Sequence, residues 1–183
     1  MDLKEKASKI RIFVFDVDGV LTDGSLLFDE NGKEYKNFNA KDGQGIVCIV
    51  KAGFITAIIT ARKNGTVAYR AENLGIQELY EGIKFKLPAL EEILAKHNLT
   101  FENVAYMGDD LPDICILEKV GLACCPNDAV PEVIEKCDFV SKFNGGRGAV
   151  RELCDLVLRS QNIEPLQVVK DAQAKQLELL KQS

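Results

Sequence analysis

Two acidic clusters in this chain have the residue types and spacing to bind one divalent cation. Each follows a short apolar segment: Asp16 and Asp18 end the segment 10–17, and Asp109, Asp110 and Asp113 follow the segment 104–107. Magnesium prefers hard oxygen ligands and keeps several waters, so a few carboxylates are enough to hold it. A single Asp-x-Asp is more often a solvated loop, and acids at a helix start are often caps. Because both clusters follow strand-like segments, together they predict a magnesium site.

Further polar residues stand where they could contact a phosphate group. Thr60 and Arg62 follow the apolar segment 54–60, and hydroxyl and guanidinium groups bind phosphoryl or carboxylate oxygens. Lys86 begins a predicted helix, although most lysines in such a position are solvated. Residues 145–148, Gly-Gly-Arg-Gly, precede another predicted helix. Their pattern is typical either of a flexible turn or of an anion-binding loop at a helix N-terminus.

Strand-like and helical segments alternate along the chain, which is typical of a doubly wound α/β sheet. Strands are predicted at 10–17, 54–60, 79–80, 104–107, 122–124 and 139–140. Helices are predicted at 42–53, 64–74, 86–97, 110–120 and 148–160. Residues 25–38 form a predicted hairpin around Asn31-Gly32. Such sheets bind ligands at the carboxyl ends of their strands, so the polar residues named above are expected at one edge.

Composition favours one globular domain, which we expect at residues 1–164, followed by a tail at 165–183. The 183 residues are 46% hydrophobic and 28% charged, and the formal net charge is -5, which argues against nucleic-acid binding. The six cysteines show no Cys-x-x-Cys spacing, as expected in a reducing compartment. No apolar stretch is long enough to span a membrane and no signal peptide is recognised, so a cytoplasmic location is predicted.

In their order and spacing, these motifs resemble the haloacid dehalogenase superfamily of phosphatases. The matching segments are D-V-D-G-V-L-T-D-G (16–24), I-I-T-A-R (58–62), Lys86 and G-D-D-L-P-D (108–113), within a resemblance that covers about residues 10–160. The intervals between them leave no room for the cap domain that members usually insert. The chain is therefore similar to the capless subgroup, which implies a Rossmann-like parallel sheet with a small hairpin insertion and no cap.

The resemblance implies a phosphomonoesterase with Mg²⁺ as cofactor. Asp16 would be the nucleophile that forms an aspartyl-phosphate, and Asp18 would be the acid/base. The metal would be held by Asp16, the backbone carbonyl of Asp18, and Asp109. Thr60 and Lys86 would hold phosphoryl oxygens.

The supporting residues implied by the resemblance are Asp110 and Asp113, the latter orienting Lys86 or a metal-bound water. Arg62 is the first candidate for the polar end of a sugar substrate, and Lys41 and Arg147 are further candidates.

Further segments resemble the phosphatase family that acts on 3-deoxy-D-manno-octulosonate 8-phosphate in lipopolysaccharide precursor synthesis. They are FNAKDGQGI (38–46), VAYMGDDLPD (104–113), EKVGLA (118–123) and GGRGAVRELCDLVL (145–158). Ala61 stands where that family commonly has glycine, and Lys41-Asp42-Gly43-Gln44 stands where it has Arg-Asp-Gly-Tyr. The alternative is a phosphatase of nine-carbon, sialic-acid-type 9-phosphates. Arg62 favours the eight-carbon branch, since an acidic residue there marks the nine-carbon relative.

Two alternatives from other classes are a phospho-aspartate receiver domain and a catalytically silent regulatory domain. A receiver also uses magnesium, a hydroxyl residue and a lysine, but Asp18, two residues after Asp16, supplies a built-in base that favours turnover. The resemblance further implies a homotetramer in which the hairpin 25–38 builds the contact between subunits. A neighbouring subunit's tail, 166–181, would approach the active site.

Overall fold

A six-stranded parallel sheet forms the centre of the computed structural model, which describes residues 2–182. Including the two hairpin strands, the strands are β1 (Ile12–Phe15), β2 (Leu27–Phe28), β3 (Glu34–Tyr35), β4 (Ile55–Thr60), β5 (Glu78–Glu81), β6 (Val104–Met107), β7 (Leu122–Cys125) and β8 (Phe139–Val140). The order in the main sheet is β5-β4-β1-β6-β7-β8. Strand β1 pairs with β4 on one side and with β6 on the other. The predicted doubly wound fold is confirmed, and residues 2–182 show no inserted cap domain.

Helices cover both faces of this sheet. They are α1 (Leu3–Ser8), α2 (Ala40–Lys51), α3 (Gly65–Leu74), α4 (Lys86–His97), α5 (Ile114–Leu117), α6 (Pro131–Ile134), α7 (Ala149–Ser160) and α8 (Pro165–Gln182). The prediction of one helix over 110–120 was wrong, because residues 111–113 form a 3₁₀ turn before the short α5. That turn is closed by Asp110 and Asp113, whose side chains bond to backbone amides. Helices α1 and α6 were not predicted, since so few residues give no clear periodicity.

The core has two halves, one on each face of the sheet, as the apolar run of β1 predicted. Phe13 and Phe15 point into the half formed with α2 and α7. Ile12 and Val14 point into the half formed with α4 and α5. Successive side chains of a strand face opposite ways, and both faces of a parallel sheet are buried under helices.

The N-terminal ends of α2 and α7 are joined by Asp42, which is buried. Its carboxylate accepts hydrogen bonds from the backbone N–H of Gly148 at 3.1 Å and of Arg151 at 2.8 Å. Asn39 caps α2, and its side-chain amide donates to the carbonyl of Gly146 at 3.1 Å. Helix α7 is thus capped by a residue of another helix, because Gly148 carries no side chain to cap it.

The hairpin of β2 and β3 is confirmed, but its turn is longer than the two residues Asn31-Gly32. The side chain of Asp29 accepts from the backbone N–H of Asn31 and of Lys33, both at 2.9 Å, and so organises a five-residue turn. Helix α8 packs its first turns on the core through Val169 and leaves its later residues exposed. Among residues 2–182 no helix is long and apolar enough to cross a membrane.

Candidate active site

A cavity of about 270 Å³ lies at the carboxyl ends of β1, β4 and β6. This is the edge at which ligands bind in open α/β sheets. The residues that line it are Asp16, Asp18, Gly24, Leu26, Thr60, Ala61, Arg62, Lys86, Asp109, Asp110, Pro112 and Asp113. Three strand ends and the start of α4 therefore bring the polar residues of the predicted site around one space.

Lys86 stands at the centre of the site with its ammonium group buried. Nζ lies 2.9 Å from Oδ2 of Asp16 and donates to Oδ1 of Asp113 at 2.6 Å. Burial alone would lower the pKa of Lys86, but the two carboxylates more than offset that effect and raise it. The side chain therefore stays charged and holds Asp16 in a fixed position at the end of β1.

Asp113 is fully occupied as a hydrogen-bond acceptor. Besides Lys86, the hydroxyl of Tyr106 donates to Oδ1 at 2.5 Å. Oδ2 accepts from the backbone N–H of Asp109 at 3.0 Å and of Asp110 at 3.3 Å. Both oxygens are thus used to orient Lys86 and the loop after β6. This arrangement is consistent with the predicted supporting role of Asp113 in orienting Lys86.

The carboxyl groups of Asp16, Asp109 and Asp113 place one oxygen each within 4.8 Å of one another. Burial and the charges of the other two raise the pKa of Asp109 to about 8. Burial also raises the pKa of Asp16 to about 6, although Lys86 opposes the shift. Oδ1 of Asp109 is buried and has no hydrogen-bond partner among residues 2–182. An unpaired buried oxygen and uncompensated negative charge fit a divalent cation held by hard oxygen ligands.

Gly19 is required by this carboxylate arrangement. Its backbone has a φ of +84°, and a Cβ atom there would lie 1.9 Å from Oδ2 of Asp109. A side chain at position 19 would therefore displace Asp109 as well as strain the turn. The Asp-x-Asp-Gly motif thus combines two carboxylates with the one residue type that lets the second cluster approach.

Asp18 and Arg62 lie at the outer side of the cavity. Nε of Arg62 is 3.6 Å from Oδ2 of Asp18. Lys36, which sequence reasoning missed, donates to Oδ1 of Asp18 at 2.5 Å. Lys36 comes from the hairpin, just after β3. Its sequence signal was the alternation that puts Glu34 and Lys36 on one face of a strand. Thr60 is buried between these groups and the sheet, and its hydroxyl oxygen accepts from the N–H of Arg62 at 3.4 Å.

Lys41 and Arg147 do not line this cavity. Both line a separate groove of about 1020 Å³ beside α7. Arg147 is exposed and donates to Asp23 at 2.9 Å. The N–H groups at the start of α7 are bound by Asp42, which favours the structural interpretation of residues 145–148 over the anion-binding one. The contact of Lys41 and Arg147 with a sugar stays a prediction.

Comparison with known proteins identifies relatives of this chain. A family model for haloacid dehalogenase-like hydrolases matches residues 78–153. The 3-deoxy-D-manno-octulosonate 8-phosphate phosphatase KdsC of Escherichia coli (strain K12) is 48% identical over 160 residues, 87% of this chain and 85% of that protein. Crystal structures of such phosphatases from Yersinia pestis and Moraxella catarrhalis superpose with TM-scores of 0.87 and 0.86.

The Yersinia structure is 43% identical and the alignment covers 88% of this chain and 87% of that one. The Moraxella structure is 37% identical, with 87% of this chain and 92% of that one covered, and it contains a magnesium ion, a phosphate ion and a KDO molecule. Both likenesses therefore cover more than four fifths of each chain.

The raised pKa values of Asp16 and Asp109 predict how stability depends on pH and on magnesium. Between the ordinary aspartate pKa near 4 and about 8, Asp16 and Asp109 bind more protons in the folded protein than in the unfolded chain. Metal-free protein should therefore lose stability as pH rises through this window. Mg²⁺ binds the deprotonated carboxylates, so its stabilisation should grow with pH. At one hundred times its dissociation constant it should raise the melting temperature at pH 8 by roughly 5–10 °C.

Thermal unfolding at pH 5 and pH 8, with EDTA or with Mg²⁺, measures this effect. Asp109→Asn should remove the response to magnesium and flatten the dependence on pH. Asp110→Asn is the matched control, since Asp110 is exposed and asparagine is also a good cap. Equal stabilisation by Mg²⁺ in wild type and Asp109→Asn would contradict the assigned metal site.

Proposed function

Because the chain belongs to the 3-deoxy-D-manno-octulosonate 8-phosphate phosphatases of the haloacid dehalogenase-like hydrolases, we infer that it hydrolyses this phosphate monoester. The products are the free sugar acid and inorganic phosphate, and the cofactor is Mg²⁺. One observation carries the proposal. In a chain 48% identical to such an enzyme, a buried lysine holds a strand-end aspartate beside a second, unpaired carboxylate.

In the first half of the proposed reaction, Asp16 attacks phosphorus. Lys86 holds Oδ2 of Asp16 at 2.9 Å, which leaves Oδ1 to form the bond to phosphorus while the bond to the sugar oxygen breaks. Asp18 gives its proton to the departing sugar oxygen. Thr60 and Lys86, which line the same cavity, would donate hydrogen bonds to the phosphoryl oxygens.

In the second half, water attacks the aspartyl-phosphate. Asp18 now accepts a proton from that water, the bond between phosphorus and Asp16 breaks, and phosphate is released. Dividing the displacement in two lets one carboxylic acid serve first as donor and then as acceptor. Asp16, Asp109 and the backbone carbonyl of Asp18 would hold the magnesium ion, which neutralises charge between the anionic nucleophile and the phosphate dianion.

The alternatives are not favoured, because the curated relatives from Escherichia coli and Yersinia pestis and the Moraxella catarrhalis structure are all named as phosphatases of the eight-carbon substrate. Asp18 also argues against a receiver domain, because a base two residues from the phosphorylated aspartate promotes loss of the phosphoryl group. The position of Arg62 supports its role in substrate choice. Its side chain is 45% exposed at the rim of the cavity, beyond the buried Thr60, where the sugar would leave the phosphate pocket.

Phosphate release from eight- and nine-carbon sugar-acid phosphates tests the proposed function. We expect Mg²⁺-dependent turnover with the highest kcat/KM for 3-deoxy-D-manno-octulosonate 8-phosphate, abolished by EDTA. Asp16→Asn should lower kcat by about three or more orders of magnitude, the effect of losing a nucleophile. A preference for the nine-carbon substrate would refute the substrate assignment. Turnover by Asp16→Asn would refute the covalent mechanism.

Arg62→Glu should lower kcat/KM for the eight-carbon substrate more than for a small aryl phosphate. Loss of a charged hydrogen bond to the sugar acid, with a like charge put in its place, should cost roughly ten- to a hundredfold. The aryl phosphate lacks the sugar and serves as the internal control. An equal loss on both substrates would instead assign Arg62 to the phosphate.

We propose that the chain forms a homotetramer through its hairpins. Apolar side chains on the hairpin are exposed in the single subunit; they are Leu26, Leu27, Phe28 and Tyr35, and Leu27 is exposed by 63%. An isolated two-stranded ribbon is marginally stable in water, and a contiguous apolar patch of this kind marks an interaction site. Packing hairpins from several subunits together would bury these side chains.

The position of the tail decides which active site it could reach. Helix α8 packs near Lys51 and Ala52, at the end of α2 away from the carboxyl ends of the strands. It therefore does not cover the site of its own subunit. Leu177 and Leu179, in its exposed half, are free of the core. A role for the tail in catalysis would require a neighbouring subunit's site.

Leu27→Asp should convert the tetramer to smaller species, because it puts a charge into the proposed apolar contact. Light scattering measures the mass, and Tyr69→Asp is the matched control, since Tyr69 is equally exposed but lies on α3.

A chain ending at Glu164 should remain tetrameric yet show changed kcat or KM. A monomeric wild type would refute the assembly, and unchanged kinetics after truncation would refute the role of the tail.

A further inference from the structure

The hairpin contributes one buried charge to the active site, the ammonium group of Lys36. Its side chain is 2% exposed, whereas lysines are almost never so buried unless they are paired. Nζ lies 2.5 Å from Oδ1 of Asp18 and 2.9 Å from Oε1 of Glu34. Two carboxylates therefore fix the end of a side chain that would otherwise be among the most mobile in a protein.

The pair belongs to a group of four charged side chains. Arg62 lies near both carboxylates. Its Nε is 3.6 Å from Oδ2 of Asp18, and its Nη1 is 4.0 Å from Oε2 of Glu34. Asn64 donates to Oε2 of Glu34 at 3.4 Å. Two negative and two positive groups are thus balanced, and the hydrogen bond from Lys36 lowers the pKa of Glu34. The hairpin, the strand end of β1 and the start of α3 are connected through this group.

The two cations of the group differ in their freedom to move. Arg62 is 45% exposed and Lys36 only 2%. Arg62 also lies beyond hydrogen-bonding distance of Asp18, so it can turn toward a substrate without releasing a hydrogen bond. If the ammonium group of Lys36 moved away, Asp18 and Glu34 would both lose their hydrogen-bonded cation. It is therefore the permanent partner of Asp18.

We propose that Lys36 is the positioning residue for Asp18, and that the hairpin serves catalysis by supplying it. The proposal rests on the proposed function only in taking Asp18 as the acid/base. Because Lys36 donates to Oδ1, the proton of Asp18 is carried on Oδ2, the oxygen that Lys36 leaves unbound. The hydrogen bond fixes the rotation of the carboxyl group, so Oδ2 keeps one direction in both halves of the reaction.

The charge of Asp18 changes during the reaction, whereas Lys36 keeps its position and its charge. When the phosphorus–oxygen bond of the substrate breaks, the proton on Oδ2 moves to the departing oxygen and Asp18 becomes a carboxylate beside the fixed ammonium group. When water attacks the phosphoryl group, its proton moves to Oδ2 and Asp18 becomes neutral again. Lys36 keeps its hydrogen bond to Oδ1 through both transfers, so Oδ2 gives and receives the proton from one position.

The dependence of rate on the leaving group tests this inference with simple aryl phosphates. Phenyl phosphate releases phenol, whose pKa is about 10 like that of tyrosine, and therefore needs a general acid. 4-Nitrophenyl phosphate releases a much more acidic phenol and needs little help. Lys36→Met should lower kcat/KM for phenyl phosphate about tenfold more than for 4-nitrophenyl phosphate, a part of the effect expected for general-acid catalysis. Lys36→Arg should restore most of the difference.

Lys33→Met is the matched control, since Lys33 lies on the same hairpin but is exposed and contacts the ring of Tyr35. It should leave both rates unchanged. In an Asp18→Asn background, adding Lys36→Met should cause no further loss, because a residue that acts only through Asp18 has nothing left to act on. A structural role of Lys36 would lower both substrates equally and would add its loss to that of Asp18→Asn, and either result would overturn the inference.

The aryl phosphates keep this test separate from the test of the natural substrate. If the enzyme hydrolyses both aryl phosphates but not the eight-carbon sugar-acid phosphate, the proposed substrate is wrong and the role of Lys36 is still decided by the leaving-group effect. If the sugar-acid phosphate is hydrolysed but Lys36→Met changes both aryl phosphates equally, the substrate stands and the role of Lys36 is refuted.

Discussion

The site depends on one buried ammonium group, Nζ of Lys86, and on the negative charge that it leaves uncompensated. Lys86 binds Asp16 and Asp113 together, while an oxygen of Asp109 lies within 4.8 Å of an oxygen of each, and Oδ1 of Asp109 has no hydrogen-bond partner among residues 2–182. Three carboxylates around one ammonium group leave two negative charges, the number that a divalent cation balances. Burial, together with this imbalance, raises the pKa of Asp109 to about 8. The placement of Asp16, the proposed nucleophile, the affinity of the site for a divalent cation and its pH response thus share one electrostatic cause.

The surrounding fold supplies the rigidity that such a charge cluster needs. Parallel pairing of β1 with β4 and β6 brings three strand ends to one edge, and Asp113 binds the loop after β6 through its own carboxylate. Gly19 permits the first loop to lie against Asp109. The hairpin reaches the outer side of the site with Lys36. Asp18 is therefore held by a different element from the one that holds Asp16, which suits the different roles that we propose for the two carboxylates.

Much of this arrangement could be predicted, because polar residues that end apolar runs must meet at one edge of a parallel sheet. On this basis we predicted that one group of residues surrounds one cavity: Asp16, Asp18, Thr60, Arg62, Lys86 and Asp109. Lys36 was missed because the alternation that puts Glu34 and Lys36 on one face of the hairpin does not show that this face turns toward Asp18. The sequence also does not show which of the neighbours Lys41 and Asp42 is buried. Only the packing of α2 on α7 shows that Asp42 is buried, whereas Lys41 lines another groove. The helix expected at 110–120 is broken because Asp113 is bound inside the site.

Trapping the covalent intermediate tests the central claim most directly. The protein would be mixed with Mg²⁺ and 3-deoxy-D-manno-octulosonate 8-phosphate, quenched in acid, and treated with borohydride, which reduces an acyl phosphate to an alcohol. Trypsin then releases the peptide between Arg11 and Lys33, which contains Asp16 and Asp18, for mass spectrometry. We expect reduction at Asp16 alone, and only when substrate and Mg²⁺ are both present. An unmodified Asp16, or reduction at Asp18 instead, would contradict the covalent mechanism.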